Sequence, residues 1–309
     1  MSDMRIVFLG TPDFSAEVLK TLAARHNVVA AVTGPDKPVG RGYELKPSPL
    51  KECALALGIP VLQFEKVSRD GIDQIAALGA DLAVTAAFGQ ILSEKFLSVF
   101  PCGVINVHAS LLPLYRGASP IQWSILTGDE YTGITIMKTV KEVDAGDILL
   151  QKRVKIGEKE TAGELFDRLA VLGGEAVCEA VDLISSGKAE FTPQDSAKAT
   201  HCGMITKADG RMDFSRTARE LDCFVRGMTP WPSTYFAIDG KRIKVFDVEP
   251  SSFRGAEGTV LAADKENGLV IGCKDGSVRV SILQPEGKKR MNDTDFLLGN
   301  KITVGAVTE

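Results

Sequence analysis

Histidine is scarce in this chain, with three residues among 309, at positions 26, 108 and 201. No two of them have zinc-ligand spacing, and the six cysteines include no Cys-x-x-Cys, so no metal is expected. Those cysteines, at 53, 102, 178, 202, 223 and 273, stand far apart in a chain long enough to need no disulfide, and free thiols are expected. Long apolar runs are missing too. Leu82 to Leu92 is interrupted by Thr85 and Gln90, which excludes a membrane-spanning helix. The start, with Asp3 and Arg5 and then Pro12 and Asp13, has no secretory leader pattern, so a cytoplasmic location is expected. Excess positive charge is absent. A net charge of −4 argues against a non-specific nucleic-acid coat while leaving room for a local basic patch. Gly10-Thr11-Pro12-Asp13-Phe14 lacks the second and third glycines of a dinucleotide loop, and Pro12 removes a backbone donor, so it reads as a strand-to-helix turn.

What remains is an ordinary globular composition, 44% hydrophobic and 25% charged, at a length that favours two domains. Arg5 to Leu9 reads as a strand, and Phe14, Val18 and Leu22 as one face of the helix after it. Val28 to Thr33, Ala80 to Ala86 and Val104 to Val107 are further buried strands with helical spacers, a pattern that predicts α/β architecture with a mostly parallel, Rossmann-like sheet. Residues 34–50 break this rhythm: their prolines and glycines predict a loop without regular structure, carrying Lys37, Arg41 and Lys46. Capping boxes open helices at Ser119/Gln122, Thr161/Glu164 and Thr217/Glu220. Beyond a polar stretch the period changes to two, with a hairpin at Asp239-Gly240 and another pair of strands around Lys274 to Gly276. The expected domains are 1–189, with the insertion 34–50, a linker 190–206, and a β-rich domain 207–309.

Chemistry concentrates in Asn106 to Pro120. Alternate strand residues share a face, so Asn106 and His108 project together at the carboxyl end of a buried parallel strand, where open α/β sheets bind ligands. Asp144 opens the turn Asp144-Ala145-Gly146. Read alone, His108 also fits a core histidine and Asp144 a turn carboxylate. Read together, an amide donor, an imidazole and a carboxylate suit acyl transfer. There is no serine or cysteine in a nucleophile elbow, so the attacking group comes from the substrate.

These stretches make the chain resemble the bacterial methionyl-tRNA formyltransferase family over nearly its full length. The likeness rests on Val7 to Phe14, on Asn106 to Pro120 with Asn-x-His, Ser-Leu-Leu-Pro and Tyr-Arg-Gly, on Val143 to Ile148, and on Gly34 to Lys51, Pro230-Trp231-Pro232 and Leu283 to Met291. Ser233 departs from it, standing where glycine is expected, and Cys202 to Met204 fits only loosely. The resemblance implies an α/β formyltransferase domain and a C-terminal OB-like β-barrel. It implies 10-formyltetrahydrofolate as co-substrate and charged initiator tRNA as acceptor; a monomer is expected, though nothing in the sequence fixes the oligomeric state. It casts Asn106, His108 and Asp144 as catalytic residues, and Ser110, Leu111, Leu112 and Pro113 with Phe88, Gly89, Gln90 and Ile91 as the folate site. Lys37, Arg41, Lys46, Lys288, Lys289 and Arg290 would face the tRNA. Two other readings stay open: a formyltransferase for a small amine such as an amino sugar nucleotide, and an RNA-binding protein on an inactive scaffold. The Arg41 loop with the tail weighs against the first, and the intact Asn106, His108, Asp144 set against the second.

Overall fold

A computed structural model describes residues 4–39 and 44–309. Contacts divide the chain into two compact units that are not contiguous in sequence. The first comprises 1–120, 131–154 and 166–202, and the second 121–130, 155–165 and 203–309.

The first unit is built on β1 (Ile6–Gly10), β2 (Val28–Thr33), β5 (Val61–Gln63), β6 (Leu82–Ala86), β7 (Val104–His108), β9 (Tyr131–Lys138) and β10 (Ile148–Lys155), in the order β10-β9-β7-β6-β1-β2-β5. β1 pairs in parallel with both β2 and β6, and β6 with β7, while β9 runs antiparallel to β7. The residues of β1 and β6 are buried throughout, as expected of a sheet covered on both faces. Helices Asp13–Ala23 and Ala162–Ser185 meet through Phe14 and Phe166, whose rings stand edge to face at 5.7 Å. Gly174 permits this approach, because a Cβ there would lie 2.6 Å from Thr21 Cβ.

The insertion is more regular than expected. β3 (Lys37–Val39) and β4 (Glu44–Lys46) form an antiparallel ribbon with Lys37 opposite Lys46 and Pro38 opposite Leu45. Proline breaks a central strand, but a two-stranded ribbon has free edges where the missing N–H costs nothing. Lys51 Nζ grips both Asp36 carboxylate oxygens (2.9 and 2.7 Å) and Gln63 Oε1 (2.9 Å), tying the root of the ribbon to the end of β5. The polar stretch after Ser185 is a strap. Thr192 bridges Ile148, and β11 (His201–Cys202) pairs in parallel with β8 (Arg116–Gly117).

In the second unit, β12 (Thr234–Ile238), β13 (Lys241–Ser251), β14 (Val260–Asp264), β15 (Gly268–Cys273) and β16 (Gly276–Pro285) form an antiparallel sheet ordered β12-β13-β16-β15-β14, with β17 (Met291–Asn292) beside β16. This is consistent with an OB-like barrel. The β12–β13 turn has positive φ at Asp239 (49°) and Gly240 (70°), as a type I′ hairpin requires. Its core gathers Phe236, Val245, Leu269, Ile271 and Val280 around helix Ala218–Gly227. Ser233 has φ 65°, in the left-handed region that explains why glycine was expected there.

Candidate active site

The topological switch point lies where β1 sits between β2 and β6, and the loops leaving the carboxyl ends of β6 and β7 open beside it. Register places Thr85 of β6 beside Asn106 of β7. The Thr85 hydroxyl donates to Asn106 Oδ1 at 2.7 Å, which leaves the amide nitrogen of Asn106 with its two hydrogens to offer elsewhere.

His108, two residues on and 5% exposed, places Nε2 2.9 Å from the Tyr115 carbonyl oxygen. A carbonyl only accepts, so Nε2 carries a hydrogen and donates it, leaving Nδ1 as the nitrogen able to exchange a proton. Nδ1 faces Asp144 Oδ2 at 3.6 Å. The same carboxylate oxygen accepts from Gly117 N–H at 2.8 Å. Asp144 itself has φ 52°, an uncommon conformation for a residue with a side chain. Gly146 closes the turn against β9, where a Cβ would lie 1.7 Å from Lys138 O.

The expected folate residues divide by exposure. Ile91 is 79% exposed and Gly89 open, on a loop that begins with left-handed Ala87. Phe88 is buried, and the Gln90 side chain is internally engaged, accepting from Val67 N–H at 2.8 Å and donating to Phe64 O at 3.0 Å. After β7, Ser110 is fully buried and donates to Leu114 O, while Leu112 is buried with its N–H on Thr135 Oγ1 and its carbonyl accepting from Gln151. Leu111 and Pro113 are part-exposed beside them.

Two residues with no signal in the sequence, Gln194 and Thr200, complete the frame. Gln194, in the strap, donates from Nε2 to the carbonyl oxygens of Asp144 (2.9 Å) and Gly146 (2.8 Å). Its Oε1 accepts from Arg116 Nε (3.1 Å) and Nη2 (2.7 Å). Thr200 takes the Tyr115 N–H on its hydroxyl at 2.8 Å and the Arg116 N–H on its carbonyl at 2.9 Å. Cys202 is buried here; desolvation pushes its thiol up, and the charge of Asp144 adds to this, as suits an inert thiol. Among the described residues no group of three or more His, Cys, Asp or Glu side chains gathers as a metal site would, and no helix is long and apolar enough to cross a membrane.

Of the basic candidates, Lys37 and Lys46 lie opposite each other on the ribbon, whereas Arg41 lies outside the described residues. In the second unit Lys288, Lys289 and Arg290 are exposed after β16, and the Arg290 guanidinium stacks 3.5 Å over the Phe246 ring.

Comparisons with known proteins agree with this architecture. The family model for formyl transferase matches residues 4–181, and that for the formyl transferase C-terminal domain matches 204–301. The chain is 46% identical over 305 residues to the methionyl-tRNA formyltransferase of Geotalea daltonii, covering 98% of this chain and 97% of that protein. It is 45% identical over 298 residues to that of Macrococcus caseolyticus, covering 96% of each. An N-formyltransferase from Helicobacter canadensis, solved with folinic acid and dTDP-3-aminofucose, shares the fold at a TM-score of 0.67 and 16% identity, covering 93% of this chain and 100% of that one. With both domains matched and relatives this similar along nearly their whole length, the chain belongs to the methionyl-tRNA formyltransferase family.

Proposed function

We propose that this enzyme transfers the formyl group of 10-formyltetrahydrofolate to the α-amino group of methionyl-initiator tRNA. The observation that carries the reading is likeness to methionyl-tRNA formyltransferases at 46% identity across 98% of the chain, the C-terminal unit included. The residues at the carboxyl end of β7 fit an acyl transfer whose nucleophile is the substrate's own amine. The new C–N bond forms at the formyl carbon, the bond from that carbon to N10 breaks, and the amine proton leaves as N10 gains one. Asn106 donates its amide N–H to the oxygen on which negative charge develops. His108 holds its ring by the Nε2–H bond to Tyr115 O and, with Asp144, handles the proton on the Nδ1 side.

The co-substrate fits what the loops offer. Exposed Ile91 and part-exposed Leu111 and Pro113 supply apolar surface, while Ser110, Leu112 and Gln90 hold the loop backbones. The basic ribbon and the Lys288 to Arg290 patch are assigned to tRNA phosphates. The enzyme is taken to act as a monomer.

Formyl transfer from 10-formyltetrahydrofolate should be assayed on charged initiator tRNA beside elongator methionyl-tRNA, free methionine and an amino sugar nucleotide, with Asn106→Asp as control. Transfer to the initiator tRNA alone supports the assignment. Transfer only to a small amine would keep the chemistry and overturn the acceptor, and no transfer to any of them would overturn both.

A further inference from the structure

A closed ring of contacts surrounds Asp144. Its carboxylate accepts from Gly117 N–H (2.8 Å), Gly117 follows Arg116 in the chain, the Arg116 guanidinium holds Gln194 Oε1, and Gln194 Nε2 returns to the Asp144 carbonyl (2.9 Å). The second hydrogen of that amide goes to Gly146 O (2.8 Å), so one side chain spans both ends of the Asp144-Ala145-Gly146 turn. Arg116 is 8% exposed. A buried guanidinium directed at a neutral amide oxygen fixes which end of Gln194 faces the turn, because only the oxygen can accept. The turn needs such support: Asp144 sits at φ 52°, a left-handed conformation that a residue with a side chain keeps only where its surroundings impose it.

We propose that Gln194, oriented by Arg116, is a positioning residue for formyl transfer, holding the Asp144 turn so that its carboxylate stays on Gly117 N–H and facing His108 Nδ1. This rests on the reading above for the reaction. Gln194 touches neither the carboxylate nor the imidazole, and its effect passes through the turn backbone. A residue that aims a catalytic group lowers turnover when lost and leaves substrate binding nearly unchanged.

Two substitutions separate positioning from a merely structural tie. Gln194→Glu keeps an oxygen for Arg116 but turns a second oxygen, with no hydrogen to donate, toward the carbonyls of Asp144 and Gly146. Gln194→Met loses both links at similar volume. A structural tie between strap and Arg116 would be preserved by glutamate. Positioning of the turn would not.

Steady-state kinetics of both variants with charged initiator tRNA should show kcat lowered by about 10- to 100-fold and both KM values within about threefold of wild type. Glutamate should fail to rescue. In parallel, amide hydrogen exchange at Gly117 should speed up in both variants while exchange in the sheet core stays unchanged. That second measurement needs no acceptor, so it tests the placement of Asp144 even if the wild type formylates something else. Turnover restored to within about threefold by glutamate, or an unchanged Gly117 exchange rate in the methionine variant, would overturn the proposal.

Discussion

Thr85 and Asn106 are joined by a 2.7 Å hydrogen bond that runs from the threonine hydroxyl to the amide oxygen. The direction matters, because an amide has a donor end and an acceptor end of nearly the same shape, and only the donor end stabilises a developing oxyanion. Thr85→Val removes the hydroxyl at nearly constant volume and should lower kcat about tenfold by letting the amide turn over. Asn106→Asp, which replaces the donor with a charge, should cost about a hundredfold or more. Single-turnover formyl transfer distinguishes these; a valine variant at full speed would show that the amide needs no such lock.

Gly117 has φ 118°, and a Cβ on it would lie 2.3 Å from the Cys202 carbonyl oxygen. Strain and collision act together at a position whose N–H also holds Asp144. Gly117→Ala should therefore lose more than about 2 kcal/mol of stability in urea unfolding, and transfer activity with it.

Asp293 supplies a pH dependence. Burial pushes its carboxyl up, but Arg279 at 2.7 and 2.9 Å and the Leu269 N–H outweigh burial and bring it below its ordinary value of 3.8. A carboxyl depressed in the folded state contributes stability at pH values above its unfolded value, and the contribution is lost as pH falls through the folded one. Asp293→Asn should thus unfold at a lower urea concentration than wild type at pH 7. The gap should narrow as the pH is taken below 3.8.

Lys37 and Lys46 face each other across the ribbon and concentrate charge at one place. Each should neutralise phosphate, so Lys37→Ala and Lys46→Ala should each reduce the slope of log affinity for charged tRNA against log salt by about one. The KM for 10-formyltetrahydrofolate should not move. An unchanged salt slope in the double variant would remove the ribbon from the tRNA interface.

Ser233 adopts φ 65° without being glycine. Ser233→Gly should raise stability by about 1 kcal/mol, measured by thermal unfolding, since relief of left-handed strain exceeds the entropy glycine adds to the unfolded chain.

The parts of the site that could be read from the sequence are those set by local periodicity. Asn106 and His108 share a face because strands repeat every two residues, and the capping boxes at Thr161 and Thr217 form as their spacing predicts. Gln194 and Thr85 were illegible for a common reason. Each acts through a hydrogen bond to a partner far along the chain, and nothing about a glutamine in a polar strap or a threonine in an apolar strand marks which atom it will meet. The ribbon is illegible because proline breaks a strand only when that strand has neighbours on both sides, and the sequence does not show how many neighbours Lys37–Val39 has.

The strand order β10-β9-β7-β6-β1-β2-β5 also bears on synthesis. β1 leaves the ribosome first, β2 and then β5 add on one side of it, and β6, β7, β9 and β10 add in turn on the other. Every strand emerges to find its neighbour already made, and none has to be wedged between two that are paired. Translation order and assembly order therefore coincide, and a nascent sheet can grow outward from β1 without reopening, with only its two outermost strands presenting an unpaired edge at any stage.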